Sequence, residues 1–221
     1  LVVGAPGTGK SSLGVQVALA AAQRGEASAL FIFDESVETL VARSEGMGMH
    51  LAPHIGSGLI RIRQVDPAEL SPGELVQEIR EAVMVDQAKV VVIDSLNGYL
   101  NAMPDERFLI AQLHELLSFL GRHGVATLLV GAQHGVLGTQ MSMPVDASYL
   151  ADAVIMLRYY ESQGEVRQAI SVLKKRSGRH DRTIRALSMS DRGMCIAEPL
   201  RSYRGILSGI PLPIDTPPDT A

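Results

Sequence analysis

The chain is poor in aromatic residues and cysteine, and it has no long apolar run. Phenylalanine, tryptophan and tyrosine make up 4% of its 221 residues. The single cysteine, Cys195, cannot form a disulfide bond within the chain, which favours a reducing compartment such as the cytoplasm. Because no apolar run reaches about 18 residues, the sequence predicts no membrane-spanning helix.

Charge of one sign is not in large excess either. The formal net charge is −4, with acidic and basic residues interspersed along the chain. This balance argues against a general nucleic-acid-binding surface, although it leaves room for a local basic pore. Hydrophobic residues make up 46% and charged residues 20%, which is typical of a globular domain with a sizeable core.

The first part of the chain predicts alternating strands and helices. Apolar runs indicate strands over residues 1–3, 27–33, 60–65, 89–94 and 125–130. Helical periodicity and capping signals indicate helices that follow residues 11, 36, 71 and 105. The run KVVVID over residues 89–94 is β-branched and uninterrupted, as expected of a strand that is buried on both faces of a parallel sheet.

The pattern changes in the last third of the chain. Four short strands, over residues 153–160, 167–175, 183–189 and 194–197, follow a glycine-containing loop over residues 131–145 and have no helices between them. The sequence therefore predicts an α/β domain over residues 1–197, with a mostly parallel central sheet, helices on both faces and an antiparallel C-terminal edge. We expect residues 198–221 to form a partly flexible tail. Since the chain begins with Leu1, inside the first strand, we expect an upstream part of the protein to be missing.

The segment GAPGTGKS, residues 4–11, fits the phosphate-binding pattern G-x-x-x-x-G-K-[ST]. It lies between a predicted strand and a predicted helix, where backbone N–H groups and the helix dipole attract phosphate oxygens. Lys10 would reach the β- and γ-phosphates of ATP, and the Ser11 hydroxyl would bind Mg²⁺. The candidate nucleotide-binding residues of this segment are Gly4, Ala5, Pro6, Gly7, Thr8, Gly9, Lys10, Ser11 and Ser12.

Three carboxylates follow the ends of predicted strands. Asp94 ends the VVVI run at the sheet edge where a carboxylate that binds nucleotide-associated Mg²⁺ belongs. In P-loop proteins whose first helix leads directly to a strand, the end of that strand lies beside the γ-phosphate, which places Asp34 and Glu35 for general-base catalysis. Taken alone, this acidic pair is more typical of a solvated turn capped by Ser36, but the phosphate-binding segment favours the catalytic interpretation. We include Glu35 with Ser11 and Asp94 among the candidate Mg²⁺ ligands.

The segment KKRSGRHDR, residues 174–182, carries two of the chain's four lysines. It is compatible with a solvated basic hairpin, with a nucleic-acid contact, or with cations offered to the γ-phosphate of a neighbouring subunit. Composition does not choose among these alternatives. His180 in this segment is either a hydrogen-bonded structural histidine or a nucleotide ligand.

Together these segments resemble the KaiC family, the RecA-like circadian-clock ATPases and autokinases, and in particular the second of that family's two tandem domains. The resemblance covers nearly the whole chain. It rests on GAPGTGKS, FDES, GMGM (residues 46–49), VVIDS, SVLKKRSGRHDRTIR, SDRG and YRGILSGIP.

The resemblance implies a RecA-like P-loop fold and a homo-hexamer that binds Mg-ATP between subunits. It gives Lys174 and Arg176 a catalytic role on the nucleotide of the next subunit, with His180 among the nucleotide ligands. It assigns nucleotide and Mg²⁺ binding to Lys10, Ser11 and Asp94, and the catalytic role to the acidic pair. The segment ILSGIPLPI resembles the family's C-terminal segment that contacts regulators, so Kai-type regulatory proteins are expected partners.

The resemblance also places the phosphoacceptors and shows two departures from the family pattern. In VDASYLADA, Ser148 occupies the position of the family's phosphorylated serine, whereas Tyr149 replaces the neighbouring threonine. Asp34 stands where the family usually has a glutamate, one methylene longer. We expect phosphorylation at Ser148, with the Tyr149 hydroxyl as a second candidate acceptor.

We therefore expect an ATP-hydrolysing domain of a hexameric ring, with serine autophosphorylation and a role in clock-like timing or signalling. A DNA-dependent RecA-type ATPase would need basic or aromatic residues in its pore-facing loops. The segment 131–145 contains His134 but no lysine, arginine, phenylalanine, tyrosine or tryptophan, so DNA is not an expected partner. A nucleotide-binding scaffold with little turnover is the remaining alternative, because Asp34 departs from the family's catalytic pair.

Overall fold

The computed structural model describes residues 1–101, 106–132, 148–207 and 211–214. Its main sheet begins with five strands, which are β1 (Val2–Gly4), β2 (Ser28–Ile32), β3 (Ile60–Gln64), β4 (Val90–Asp94) and β5 (Ala126–Ala132). Four more strands complete it, which are β6 (Ala153–Ser162), β7 (Glu165–Lys175), β8 (Arg185–Ser190) and β9 (Gly193–Pro199). Their order is β3-β2-β4-β5-β1-β6-β7-β8-β9.

The sheet is parallel from β3 to β6 and antiparallel from β6 to β9. Strand β1 pairs in parallel with both β5 and β6, whereas the β6–β7, β7–β8 and β8–β9 pairs are antiparallel. The predicted α/β architecture with an antiparallel C-terminal edge is thus confirmed.

Helices cover both faces of the parallel part of the sheet. They are α1 (Lys10–Gln23), α2 (Val37–Gly46), α3 (Ala52–Gly56), α4 (Pro72–Met84), α5 (Leu96–Asn101) and α6 (Glu106–Arg122). Successive residues of β4 point to opposite faces: Val91 packs in one buried cluster with α4 and α6, and Val92 packs in another with α1. All five residues of β4 are buried, as the β-branched run predicted.

Local signals explain where several helices begin and end. The Ser36 and Ser71 hydroxyls accept hydrogen bonds from the backbone N–H groups three residues ahead. At α4 the Glu74 side chain also accepts a hydrogen bond from the backbone N–H of Ser71, which completes a capping box. Gly25, with φ of 78°, lies just beyond α1 in the left-handed conformation that ends helices. The predicted start of the long helix at Asp105 lies outside the described residues.

Two short helices were not predicted, and one loop boundary was wrong. Helix α3 has five residues and α5 has six, which is too short for a periodic apolar pattern to be recognised. Strand β5 continues to Ala132, so Gly131 belongs to a strand and not to the predicted loop. Residues 133–145, the rest of that loop, lie outside the described residues.

Described residues beyond residue 197 pack against the antiparallel part of the sheet. Two short strands, β10 (Tyr203–Arg204) and β11 (Leu212–Pro213), pair with each other. Ile206, 1% exposed, packs with Tyr160 of β6 and Ala169 of β7. The domain boundary at residue 197 stays a prediction.

Among the described residues, no helix is long and apolar enough to cross a membrane.

Candidate nucleotide-binding and catalytic site

The carboxyl ends of β1, β2 and β4 open into one cavity of about 380 Å³. We call it the phosphate-loop cavity. It brings together side chains that are distant in sequence, because parallel strands present their carboxyl ends at the same sheet edge. Its lining residues are Gly7, Gly9, Lys10, Ser11, Ser12, Asp34, Glu35, Arg43, Met47, Asp94 and Met189.

Two side chains of the phosphate-binding loop donate hydrogen bonds to the backbone of the same loop. The Thr8 hydroxyl and the Lys10 ammonium group both donate 2.8 Å hydrogen bonds to the carbonyl oxygen of Ala5. Lys10 is 7% exposed, and burial lowers its pKa, against the opposing charge of Asp94. A desolvated ammonium group at the start of α1 can bind an anion strongly, because little water competes for it.

Two glycines of the loop are required by close neighbours. A Cβ atom on Gly4 would lie 2.4 Å from the carbonyl oxygen of Leu157 on β6. Gly7 has a φ of 79°, and a Cβ atom there would lie 2.6 Å from the Tyr159 hydroxyl oxygen. The loop therefore needs glycine both for its backbone conformation and for its contact with β6.

Asp94 lies at the bottom of the cavity and is 9% exposed. Burial raises its pKa, and the charges of Glu35 and Asp34 act in the same direction, while a hydrogen bond with Ser11 and the charge of Lys10 oppose the rise. A hydroxyl and a carboxylate that line the same cavity, together with the Asp34 and Glu35 carboxylates, are oxygen ligands of the kind that Mg²⁺ prefers. The predicted pair of Ser11 and Asp94 therefore fits a magnesium ion.

No cluster of three or more histidine, cysteine, aspartate or glutamate side chains suited to a metal ion occurs among the described residues. In nucleotide sites, Mg²⁺ is commonly held by one or two protein ligands together with phosphate oxygens and water.

The acidic pair is fixed by two residues that the sequence analysis did not single out. The Ser95 hydroxyl donates a 2.7 Å hydrogen bond to the Asp34 carboxylate. Arg43 on α2 donates to both Glu35 oxygens, over 2.7 and 3.4 Å. Ser95 directly follows Asp94 in the sequence, so its position next to the site could have been predicted. The contact of Arg43 depends on the direction of α2, which no local pattern reveals.

The predicted basic residues Lys174 and Arg176 lie at the other end of the parallel strands from the phosphate-binding loop. Lys174 pairs with Val154, near the start of β6, whereas the phosphate-binding loop follows the end of β1, which runs parallel to β6. Lys174 and Arg176 are therefore not brought into the phosphate-loop cavity of their own chain. His180, half-buried, lies in the segment between β7 and β8 and does not line that cavity either.

Lys174 and Arg176 instead hold the turn that carries the candidate phosphoacceptors. Lys174 Nζ donates to the Ser148 carbonyl oxygen over 2.8 Å, and Arg176 donates to the Tyr149 carbonyl oxygen over 3.0 Å. Arg176 also forms a 3.0 Å ion pair with Asp152. The structure thus separates these predicted site residues into two groups, one that lines the phosphate-loop cavity and one around residues 148–150, which we call the acceptor turn.

Comparison with known proteins connects this architecture to one family. Residues 1–201 match the family model described as "ATPase: KaiC". The chain is 29% identical over 212 residues to the circadian clock protein KaiC3 of Synechocystis sp., an alignment that covers 96% of this chain and 42% of the relative. It is 26% identical to the circadian clock oscillator proteins KaiC of Thermostichus vulcanus and Synechococcus elongatus, covering 96% of this chain and 40% of each relative. The chain thus spans about two fifths of the length of these curated relatives.

Proposed function

We propose, from the premise that the chain belongs to the KaiC family of ATPases, that this ATP-binding domain hydrolyses ATP at the phosphate-loop cavity. One observation carries the proposal, which is that residues predicted from three separate segments line the same cavity. They are the phosphate-binding Lys10, the candidate Mg²⁺ ligands Ser11 and Asp94, and the acidic pair. General-base catalysis requires such carboxylates within reach of the nucleophile.

The residues of the cavity have distinct roles in this reaction. Lys10 binds the β- and γ-phosphates, and Ser11 and Asp94 hold Mg²⁺, which supplies charge neutralisation on the phosphate oxygens when bound. The acidic pair orients the attacking water and accepts its proton as the new P–O bond forms and the bond to ADP breaks. Asp34 is shorter than a glutamate, and Ser95 fixes its carboxylate at the rim of the cavity.

The proposal extends to a homo-hexameric ring in which each nucleotide is shared between neighbours. Its support is the placement of Lys174 and Arg176 at the sheet edge opposite the phosphate loop. Cations that lie away from their own cavity can act on the nucleotide of the next subunit, where they stabilise the charge of the transition state. His180 belongs to the same proposed surface.

We further propose autophosphorylation of Ser148, with Tyr149 as the second candidate. The acceptor turn is bound by Lys174 and Arg176, so the proposed acceptor and the proposed cations reach the neighbouring nucleotide together. In this reaction the serine oxygen attacks the γ-phosphorus, ADP leaves, and the hydroxyl proton passes to the acidic pair. The names of the relatives, circadian clock proteins, support a role in timing, with cytoplasmic Kai-type regulators as the partners of the C-terminal segment.

The proposed ATPase is tested with Lys10→Ala and a matched control. Lys89 is exposed and precedes β4 at the opposite edge of the sheet, so Lys89→Ala removes an equivalent charge away from the cavity. We expect Lys10→Ala to lose most Mg-ATP affinity and phosphate release, and Lys89→Ala to keep both. Unchanged ATP binding by folded Lys10→Ala protein would contradict the assignment of the phosphate loop.

A further inference from the structure

Arg43 joins the acidic pair to the helix that follows the phosphate loop. Its guanidinium group contacts Glu35 through Nη2 and Nε, over 2.7 and 3.4 Å, and donates from Nη1 to the Ser12 hydroxyl oxygen over 2.9 Å. Ser12 lies on α1, two residues after Lys10. One side chain of α2 therefore links the end of β2 to the start of α1.

The contact has a clear electrostatic cause. Glu35 adjoins Asp34 in sequence, and the charges of both act on the buried Asp94 carboxyl. Three carboxylates at one sheet edge repel one another, and the γ-phosphate of a bound nucleotide would add further negative charge. A guanidinium group that binds both oxygens of one carboxylate offsets this repulsion and fixes the direction of the carboxylate. The Arg43 and Glu35 side chains are 31% and 22% exposed, so solvent screens the pair only partly.

We infer that Arg43 is a positioning residue for ATP hydrolysis, which holds the Glu35 carboxylate at a fixed place relative to the phosphate loop. The inference rests on the proposed ATPase function. Arg43 sets this distance because it contacts Glu35 and Ser12 at once, and a carboxylate displaced by about 1 Å from the attacking water can lose about 100-fold in rate. Arg43 acts through Glu35 and is not itself a proton acceptor.

A double-mutant cycle on the full-length protein tests this role. The variants are Arg43→Ala, Glu35→Gln and their combination, with kcat and the Kd for Mg-ATP measured separately. Arg63→Ala is the matched control, because Arg63 also contacts both oxygens of a glutamate, Glu78, but on an exposed surface outside the cavity.

We expect Arg43→Ala to lower kcat by about 10- to 100-fold while leaving Kd within about threefold of the parent. In the Glu35→Gln background the same change should have little further effect on kcat, because the carboxylate that Arg43 positions is already gone. Arg43→Lys should recover part of the loss, since it keeps the charge but not the two-point contact. If Arg43→Ala fails to fold, the same cycle with Arg43→Lys decides.

Three results would overturn the inference. They are a parental kcat in Arg43→Ala, an equal loss of kcat in the parental and Glu35→Gln backgrounds, and a rise in Kd at constant kcat, which would make Arg43 a nucleotide ligand. The failure of the ATPase proposal itself looks different, because then the parent and Arg63→Ala would also release no phosphate above background.

Discussion

Lys174 donates a 2.8 Å hydrogen bond to the carbonyl oxygen of Ser148, so a cation and the residue that would receive a phosphoryl group are in direct contact. Both lie at the sheet edge away from the phosphate loop of their own chain. A movement of the acceptor turn would therefore strain or break this hydrogen bond of Lys174. A phosphate on Ser148 would add about −1.5 to −2 charge near this ammonium group, so phosphorylation would alter the charge of the surface that we propose to face the next subunit.

Ser148→Ala should remove most of the label that the parent acquires during incubation with Mg-ATP, as measured by phosphopeptide mass spectrometry. Tyr149→Phe should keep the label, because the tyrosine ring places its hydroxyl several ångströms farther from the backbone than serine does. Tyr149 is 52% exposed, so its substitution should leave the fold unchanged. Full labelling of Ser148→Ala would exclude Ser148 as the principal acceptor and leave the ATPase proposal intact.

Arg176→Ala should lower phosphate release by about 10³-fold, the scale of a cation that acts across an interface, with nucleotide affinity nearly unchanged. Mixing it with Glu35→Ala protein should restore part of the activity, since some interfaces then hold an intact Arg176 and an intact Glu35. Arg179→Ala, an exposed arginine of the same segment, is the control and should keep parental activity. No restoration in rings shown to exchange subunits would contradict a shared site.

Asp94→Asn should stabilise the nucleotide-free protein while abolishing Mg²⁺-dependent ATP binding. Burial raises the pKa of Asp94 above its ordinary value of 3.8, so the folded state binds this proton more tightly than the unfolded state. The contribution of Asp94 to the parent's free energy of unfolding is therefore greatest below pH 3.8, and it falls as the pH rises towards the raised pKa. The variant's advantage in stability should be absent below pH 3.8 and should grow as the pH rises above it.

Thermal unfolding in EDTA at a series of pH values measures this advantage as a difference in Tm between Asp94→Asn and the parent. A gain of about 2–4 °C at neutral pH would correspond to about 1 kcal/mol in a chain of this size. A variant that is less stable than the parent at neutral pH would show that the hydrogen bond with Ser11 and the charge of Lys10 outweigh the burial of the Asp94 charge.

Gly7→Ala should destabilise the protein more than Gly25→Ala does. Both glycines have φ close to 78°, where alanine costs about 1–2 kcal/mol. A Cβ atom on Gly7 would also lie 2.6 Å from the Tyr159 hydroxyl oxygen, whereas nothing lies within 4 Å of one on Gly25. Denaturant unfolding should give the larger loss for Gly7→Ala, and Tyr159→Phe in that background should recover part of it. Equal losses for the two alanine variants would contradict the contact.

Local sequence patterns were sufficient to predict most of the strands and longer helices, and also the phosphate-binding part of the site. The β-branched run of β4, the capping box of α4 and the phosphate-binding segment each act through neighbours in sequence, so their residues could be recognised without a fold. Asp34, Glu35 and Asp94 were found because the carboxyl ends of parallel strands meet at one edge. Helices α3 and α5, of five and six residues, were missed because fewer than two turns are too short to show a repeating apolar pattern.

The remaining features arise from contacts between distant segments. The separation of Lys174 and Arg176 from the phosphate loop follows from the reversal of the chain between β6 and β7, which composition does not encode. Arg43 reaches Glu35 and Ser12 because α2 packs its side chain towards α1. The sequence alone therefore specified the phosphate-binding segment and the three carboxylates of the site, since motif chemistry is local, but not Arg43 or Ser95. The tertiary structure decided which groups share a cavity, because that depends on strand order, helix direction and the packing of both faces of the sheet.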